Sequence, residues 1–207
     1  MPTHLQIDDR GGHCRLQLIS ADETNRLTRA CLFDLRKALL ALQRAPKPLI
    51  ITGNPKFFSA GADLSEIGAL TGPSALTFAR LGQDLMNAIA QFPAPVYAAI
   101  HGYCMGGGLD LALACHRRIA SARAVFGHRG AALGLMTGWG GTQRLPRLVG
   151  KGRALAMFLA AEKLPAKEAL AAGLIDAVVD DPVAEAALRI QALARSGAPG
   201  AAIETIP

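Results

Sequence analysis

Three consecutive glycines followed by an acidic residue form the stretch of this chain best suited to chemistry. Gly106, Gly107 and Gly108 follow an apolar run, Val96–Ile100, and precede a leucine- and alanine-rich segment typical of a buried helix. A glycine lets a ligand approach the backbone closely, and the first N–H groups of a helix have no intrahelical acceptor. The stretch therefore predicts a site for an oxygen that gains negative charge. Asp110 lies about one helical turn past Gly107, so its carboxylate is expected beside the same pocket.

A second glycine-containing loop carries the interpretation further. The glycines alone also fit close packing of a helix on a strand, and their spacing matches neither the dinucleotide fingerprint nor the P-loop. Residues 57–64, however, read FFSAGADL after another apolar strand, residues 126–130 read FGHRG, and residues 140–145 read GGTQRL. In this order the segments resemble the motifs of the enoyl-CoA hydratase/isomerase (crotonase) family. The resemblance extends from about residue 16 to about residue 179.

The resemblance implies an acyl-CoA thioester as substrate. In the family, the thioester carbonyl oxygen lies between two backbone N–H groups, which by motif position belong to Ala62 and Gly107. Fixed dipoles there stabilise the enolate-like charge of the transition state. The same motifs imply substrate contacts at Lys56, Ala60, Gly61, Asp63, Leu64, Gly106 and Trp139. Lys56 and the loop at residues 60–64 are expected near the adenosine and phosphate end of coenzyme A. Trp139 is a candidate wall of the acyl pocket, packing on a neighbouring helix being the alternative. No metal or redox cofactor is implied.

The acid and base positions depart from the family pattern. Typical hydratases use two glutamates to handle the protons of water and of the α-carbon. Here the first position is Asp110, and the second is Gly130, which has no side chain. Asp110 could act as a single acid/base, or His128 could supply the missing group, because residues 128 and 130 of a strand face the same side. A different acyl-CoA reaction at the site is the third alternative. Purely structural roles for Asp110, in the first turn of its helix, and for His128 compete with all three.

We therefore expect an acyl-CoA enzyme, nominally an enoyl-CoA hydratase or isomerase of fatty-acid or related acyl-CoA metabolism. The alternative from a different class is a catalytically weak acyl-CoA-binding or RNA-binding protein on the same scaffold. Turnover of an enoyl-CoA that is lost on replacement of Asp110 distinguishes the two.

Composition places broad limits on the function. The 207 residues suffice for one domain with a substantial core, and 51% of them are hydrophobic. The net charge of +6 comes from scattered basic residues, which favours a basic surface over a nucleic-acid site. No apolar run has the length of a membrane span, and the N-terminus lacks the pattern of a signal peptide. The four cysteines show no metal-like spacing, which is typical of reduced thiols in a cytoplasmic protein.

The remaining sequence predicts the elements that position these residues. Helices are predicted at residues 28–42, 74–92, 138–149, 152–161, 165–172 and 183–195, and strands at 13–19, 49–52, 96–100, 118–121, 124–126 and 174–179. This alternation indicates an α/β domain. The resemblance implies more, namely a right-handed spiral of β-β-α units. Family members commonly continue through further helices, so we expect a core domain at 1–195, a tail at 196–207 and a shortened C-terminal helical region. A homotrimer or dimer of trimers is expected from the family, with contacts altered by that short C-terminus.

Overall fold

Mostly parallel sheets packed against helices form the architecture of the computed structural model, which describes residues 4–196, and antiparallel pairing occurs at one edge of each of the two larger sheets. The strands are β1 (Leu5–Asp9), β2 (Cys14–Leu18), β3 (Arg26–Leu27), β4 (Leu49–Thr52), β5 (Phe57–Ser59), β6 (Gly61–Ala62), β7 (Val96–Ile100), β8 (Tyr103–Met105), β9 (Arg117–Ala120), β10 (Val125–Gly127), β11 (Leu164–Pro165) and β12 (Ala177–Val178). The helices are α1 (Arg29–Leu42), α2 (Leu64–Gly68), α3 (Gly72–Ala90), α4 (Gly107–Ala114), α5 (Gly141–Val149), α6 (Lys151–Leu159), α7 (Ala166–Ala171) and α8 (Pro182–Arg195). A 3-10 helix occupies Arg129–Leu133.

The strand order follows the β-β-α repetition that the family resemblance implies. The large sheet has the order β1-β2-β4-β7-β9-β12, and a smaller sheet has the order β11-β10-β8-β5. Each successive unit adds one strand to each sheet, β4 and β5, then β7 and β8, then β9 and β10, and these neighbours pair in parallel. A further short parallel pair joins β3 to β6. The α/β fold of the crotonase type is thus confirmed.

The large sheet is buried on both faces, which explains its continuous apolar strands. Alternate residues of a strand point to opposite faces. In β4, Leu49 and Ile51 belong to the main core, while Ile50 belongs to a second cluster that includes Ala186 and Ile190 of α8. The last described helix therefore covers the outer face of the sheet, and the helices that carry the glycine motifs pack on the inner face.

Several predicted boundaries are corrected by the structure. The helix predicted at 138–149 begins only at Gly141, because Gly140 has a φ of 106° that a helix cannot continue through. The edge strand predicted at 174–179 is reduced to β12, although its place at the edge of the sheet is confirmed. Placing residues 128 and 130 in one strand is wrong, because β10 ends at Gly127 and the 3-10 helix begins at Arg129. Most of the predicted tail, residues 197–207, lies outside the described residues, so the boundary at 195 stays a prediction.

Candidate active site

Two backbone amides from distant parts of the chain lie side by side. Ala62 is the last residue of β6, and Gly107 is the first residue of α4. A Cβ placed on Gly107 would come 3.3 Å from the Ala62 nitrogen, and a Cβ placed on Gly61 would come 3.0 Å from the Gly107 nitrogen. Gly61 also has a φ of 93°, so this close approach of two backbones requires glycine on both sides. The amides of Ala62 and Gly107 are therefore adjacent, as the sequence motifs require.

Helix α4 is buried along its whole length, and its N-terminus lies at the two adjacent amides. All of its residues, Gly107–Ala114, are buried. Gly106 precedes it with a φ of 52° and donates its own N–H to the Gly127 carbonyl at 2.9 Å. This turn directs the chain from β8 straight into the helix. Because water does not screen the buried helix, the positive end of its dipole acts at nearly full strength on a ligand at the N-terminus.

Asp110 is buried in the first turn of α4, with only 1% of its surface exposed. The Thr137 hydroxyl donates a hydrogen bond to its Oδ2. Its Oδ1 has no hydrogen-bond partner within residues 4–196. Burial raises the pKa of Asp110 to about 7, although the hydrogen bond from Thr137 and the nearby amides of Trp139 and Gly141 act in the opposite direction. The group is therefore poised to hold or release a proton near neutral pH.

His128 is the second ionisable side chain buried at this point, with 3% of its surface exposed. Its Nε2 lies 3.5 Å from Oδ1 of Asp110, and its ring packs on Phe158 with the ring centroids 5.0 Å apart. Neither ring nitrogen has a hydrogen-bond partner in the described part of the chain. Burial lowers the pKa of His128 to about 4, so the imidazole is neutral at physiological pH.

Gly130 faces a backbone wall rather than open space. A Cβ at this position would come 2.6 Å from the carbonyl oxygen of Leu135, whose own N–H donates to the Gly130 carbonyl at 2.8 Å. The turn between these residues therefore excludes a side chain at residue 130 unless its backbone moves. The second acidic group of typical hydratases is absent here, and this loop has no room for it.

A cavity of about 300 Å³ connects these groups. Of the predicted site residues, its walls include Ala60, Ala62, Leu64, Gly106, Gly107, Asp110, His128, Gly130 and Trp139. Leu70, Phe78, Leu135 and Phe158 add to its apolar lining. The cavity thus combines an apolar wall with a small number of polar groups at one end, as ligand sites generally do.

Three predicted substrate contacts do not line the cavity. Gly61 lies behind the two amides, where it permits their approach. Asp63 accepts hydrogen bonds from the N–H groups of Ser65 and Glu66, so it caps α2. Lys56 is exposed, with its Nζ 5.8 Å from the ring centroid of Phe57. Contacts of these residues with a substrate stay predictions.

Trp139 occupies a slot between two helices. A Cβ on Gly82 of α3 would come 2.2 Å from the indole, and one on Gly107 would come 2.4 Å from it. The indole also contacts the Phe78 ring edge-on, with centroids 5.3 Å apart. Trp139 thus packs on the neighbouring helices and also lines the cavity, and its contact with an acyl chain stays a prediction.

Two residues of the site escaped the sequence analysis. Thr137 bonds Asp110 across 27 positions of sequence, and no local pattern signals such a contact. Gly141 was noted only as part of a motif, yet a Cβ there would come 2.1 Å from Oδ1 of Asp110 and 3.0 Å from Nε2 of His128. The glycine type was the available signal, since glycine inside a helix start commonly marks close approach.

Within residues 4–196 there is no cluster of three or more potential metal ligands, and no helix is long and apolar enough to cross a membrane.

The family model for enoyl-CoA hydratase/isomerase matches residues 9–202. The structure is similar to that of DspI from Pseudomonas aeruginosa, with 38% sequence identity, a TM-score of 0.89 and coverage of 93% of this chain and 81% of that one. Enoyl-CoA hydratases from Thermoplasma volcanium and Bacillus anthracis are 35% and 32% identical to it. For each of these two hydratases the TM-score is 0.87, and the match covers 93% of this chain and 77% of the hydratase chain.

Proposed function

Because the chain belongs to the enoyl-CoA hydratase/isomerase family, we propose that it is an acyl-CoA enzyme that stabilises a thioester enolate. Ala62 and Gly107 donate their N–H groups to the thioester oxygen, and Asp110 exchanges a proton with the substrate carbon next to the carbonyl. The observation that carries this proposal is that Ala62 and Gly107, whose amides are adjacent, line one cavity together with the buried Asp110. Coenzyme A enters as part of the substrate, and the reaction is a hydration or an isomerisation.

The two amides stabilise the negatively charged thioester oxygen of the transition state more than the neutral carbonyl oxygen of the bound substrate. Charge moves onto the thioester oxygen as the enolate forms, and fixed donors in a water-poor site need no reorganisation to meet it. Removing one such donor elsewhere costs about 3 kcal/mol in the transition state. The buried dipole of α4 acts in the same direction, because its positive end lies at Gly107.

Asp110 has the properties of a general acid/base for the α-carbon. A catalytic acid works best when its pKa is close to the working pH, and burial brings the pKa of this carboxyl to about 7. The Thr137 hydroxyl donates to Oδ2, whereas Oδ1 has no hydrogen-bond partner within residues 4–196 and lies 3.5 Å from Nε2 of His128. Two further features of the proposal follow the family, namely Lys56 and Asp63 near the coenzyme A end and a homotrimer or dimer of trimers. A cytoplasmic location follows from the cysteine pattern of the sequence.

Exchange of α-hydrogens tests this function without assuming a particular net reaction. Butyryl-CoA cannot be hydrated, but an enzyme that forms its enolate replaces its α-hydrogens with deuterium in D₂O, which mass spectrometry detects. We expect wild-type exchange and a loss of at least about 100-fold in Asp110→Asn, because general acid/base groups contribute about that factor or more. Asp84→Asn, at an exposed position on α3, is the control and keeps the wild-type rate.

Binding of butyryl-CoA without exchange in the wild-type protein would contradict the enzymatic function. That result would favour the acyl-CoA-binding protein considered from the sequence. Absence of acyl-CoA binding together with binding of an RNA oligonucleotide would reject both.

A further inference from the structure

We propose that His128 and Asp110 form one proton-transfer pair that adds water to an α,β-unsaturated acyl-CoA, with His128 acting as the second catalytic residue in place of the side chain that Gly130 lacks. This inference rests on the proposed function of the site. It assigns the reaction to hydration and gives His128 a role that the family motifs do not predict.

The pair stands out because three of its four polar side-chain atoms are buried and have no hydrogen-bond partner in the described part of the chain. Oδ1 of Asp110 and both ring nitrogens of His128 lack hydrogen bonds within residues 4–196, although both side chains are more than nine-tenths buried. Such atoms cost free energy unless a ligand completes them, so their persistence in one cavity indicates a polar ligand. Both residues line the cavity, with Nε2 and Oδ1 3.5 Å apart. The two atoms are therefore close enough to pass a proton between them.

His116 shows what a structural histidine looks like in this protein. Its Nδ1 accepts the Val96 N–H at 2.8 Å, and its Nε2 lies 3.1 Å from the Ala90 carbonyl. Both of its nitrogens are thus satisfied by the backbone, and it is buried to a similar degree. His128 is also buried, but neither of its ring nitrogens has a hydrogen-bond partner within residues 4–196. This difference distinguishes His128 from a histidine with a purely structural role.

The residues around the pair accommodate the side chains of Asp110 and His128 but leave little space for a side chain at residue 130. Gly141 approaches both side chains so closely that a Cβ there would come 2.1 Å from Oδ1. The Phe158 ring packs against the imidazole at a tilt of 41°, with the ring centroids 5.0 Å apart. A side chain at residue 130 would bring its Cβ 2.6 Å from the Leu135 carbonyl oxygen, so a carboxylate fits there only if the backbone moves. Among the charged groups around the pair, the charge of Arg144 acts on Asp110, and Arg129 is exposed at the cavity wall.

Hydration leaves both side chains in their starting protonation states if one proton passes from His128 to Asp110 at the end of each turnover. In the starting state Asp110 is protonated and His128 is neutral, with the proton of His128 on Nδ1. The water oxygen bonds the β-carbon while Nε2 of His128 takes one water proton. The π electrons of the double bond shift through the α-carbon to the thioester oxygen, and the resulting enolate takes the proton of Asp110 on its α-carbon. The imidazolium then returns its proton to Oδ1 across the 3.5 Å contact, so that one water has been added and both groups are restored.

Substitution of His128 separates this role from the enolate chemistry. In His128→Gln we expect the rate of crotonyl-CoA hydration, followed by loss of the conjugated thioester, to fall about 100-fold or more. The exchange of butyryl-CoA needs only Asp110 and the amides, so it stays within about threefold of wild type. Retained exchange also shows that the variant folds. His101→Gln, at a half-buried histidine outside the cavity, is the matched control and leaves both rates unchanged.

A second variant covers a failure of His128→Gln to fold. In His128→Ala, added imidazole restores hydration in proportion to its concentration and leaves exchange unaffected.

The outcomes that overturn the proposal are distinct from failure of the proposed function. Wild-type exchange without hydration, or equal hydration in wild type and His128→Gln, rejects the pair while the enolate chemistry stands. Equal loss of hydration and exchange in a folded His128→Gln makes His128 a positioning residue for Asp110 and also rejects the step. Absence of both reactions in the wild-type protein rejects the proposed function and the inference with it.

Discussion

Asp110→Asn should change the pH dependence of stability in a direction that follows from burial alone. The pKa of Asp110 is raised from 3.8 to about 7 in the folded protein, with burial as the main cause. A raised carboxyl pKa means that the folded state holds its proton more tightly than the unfolded chain. The free energy of unfolding therefore falls as pH rises above 3.8, and the penalty is complete above about pH 7. Asparagine stays neutral throughout and is free of this penalty.

The size of the effect follows from the same two values. Each pH unit in which the unfolded chain is ionised and the folded one is not costs about 1.4 kcal/mol. Between pH 5 and pH 7, wild type should thus lose about 2–3 kcal/mol of stability relative to Asp110→Asn, and the difference should level off by pH 8. The lowered pKa of His128 has the opposite sign, destabilising both proteins as pH falls below 6.5, so it largely cancels in the comparison.

Urea unfolding from pH 5 to pH 8, followed by the fluorescence of the single tryptophan, measures this difference directly. The exposed variant Asp84→Asn should run parallel to wild type at every pH. A stability difference between Asp110→Asn and wild type that does not change with pH would mean that Asp110 is ionised in the folded protein at its ordinary pKa. The assignment of Asp110 as a neutral acid near pH 7 would then be wrong.

Three further substitutions test the packing around the site. Gly107→Ala places a Cβ 2.4 Å from the Trp139 ring, so the amide must move and butyryl-CoA exchange should fall by about 100-fold. Gly130→Glu places its Cβ 2.6 Å from the Leu135 carbonyl, so it should destabilise the fold by about 1–3 kcal/mol in urea unfolding without raising crotonyl-CoA hydration. Trp139→Ala empties the slot against Gly82 and should cost about 3–5 kcal/mol, measured by circular dichroism in urea.

Some features of the fold were predictable because their causes are local. The apolar runs at Leu49–Thr52 and Val96–Ile100 form strands where the sequence predicts them, since both faces of the sheet are buried. The short strands Arg26–Leu27 and Gly61–Ala62 were not predicted. Two residues carry no periodicity, and these strands exist because each pairs with the other.

Gly106 and the helix start at Gly107 also follow from the sequence by itself, because glycine alone tolerates the turn and the close contacts there. The position of Asp110 on the first turn is equally local, since it needs only the helical repeat. Only the tertiary structure decided which residues surround the Asp110 carboxyl. His128 and Thr137 reach it from 18 and 27 residues away, and burial raises its pKa to about 7. Burial and long-range contact depend on every element that packs around a group, so no local pattern contains them.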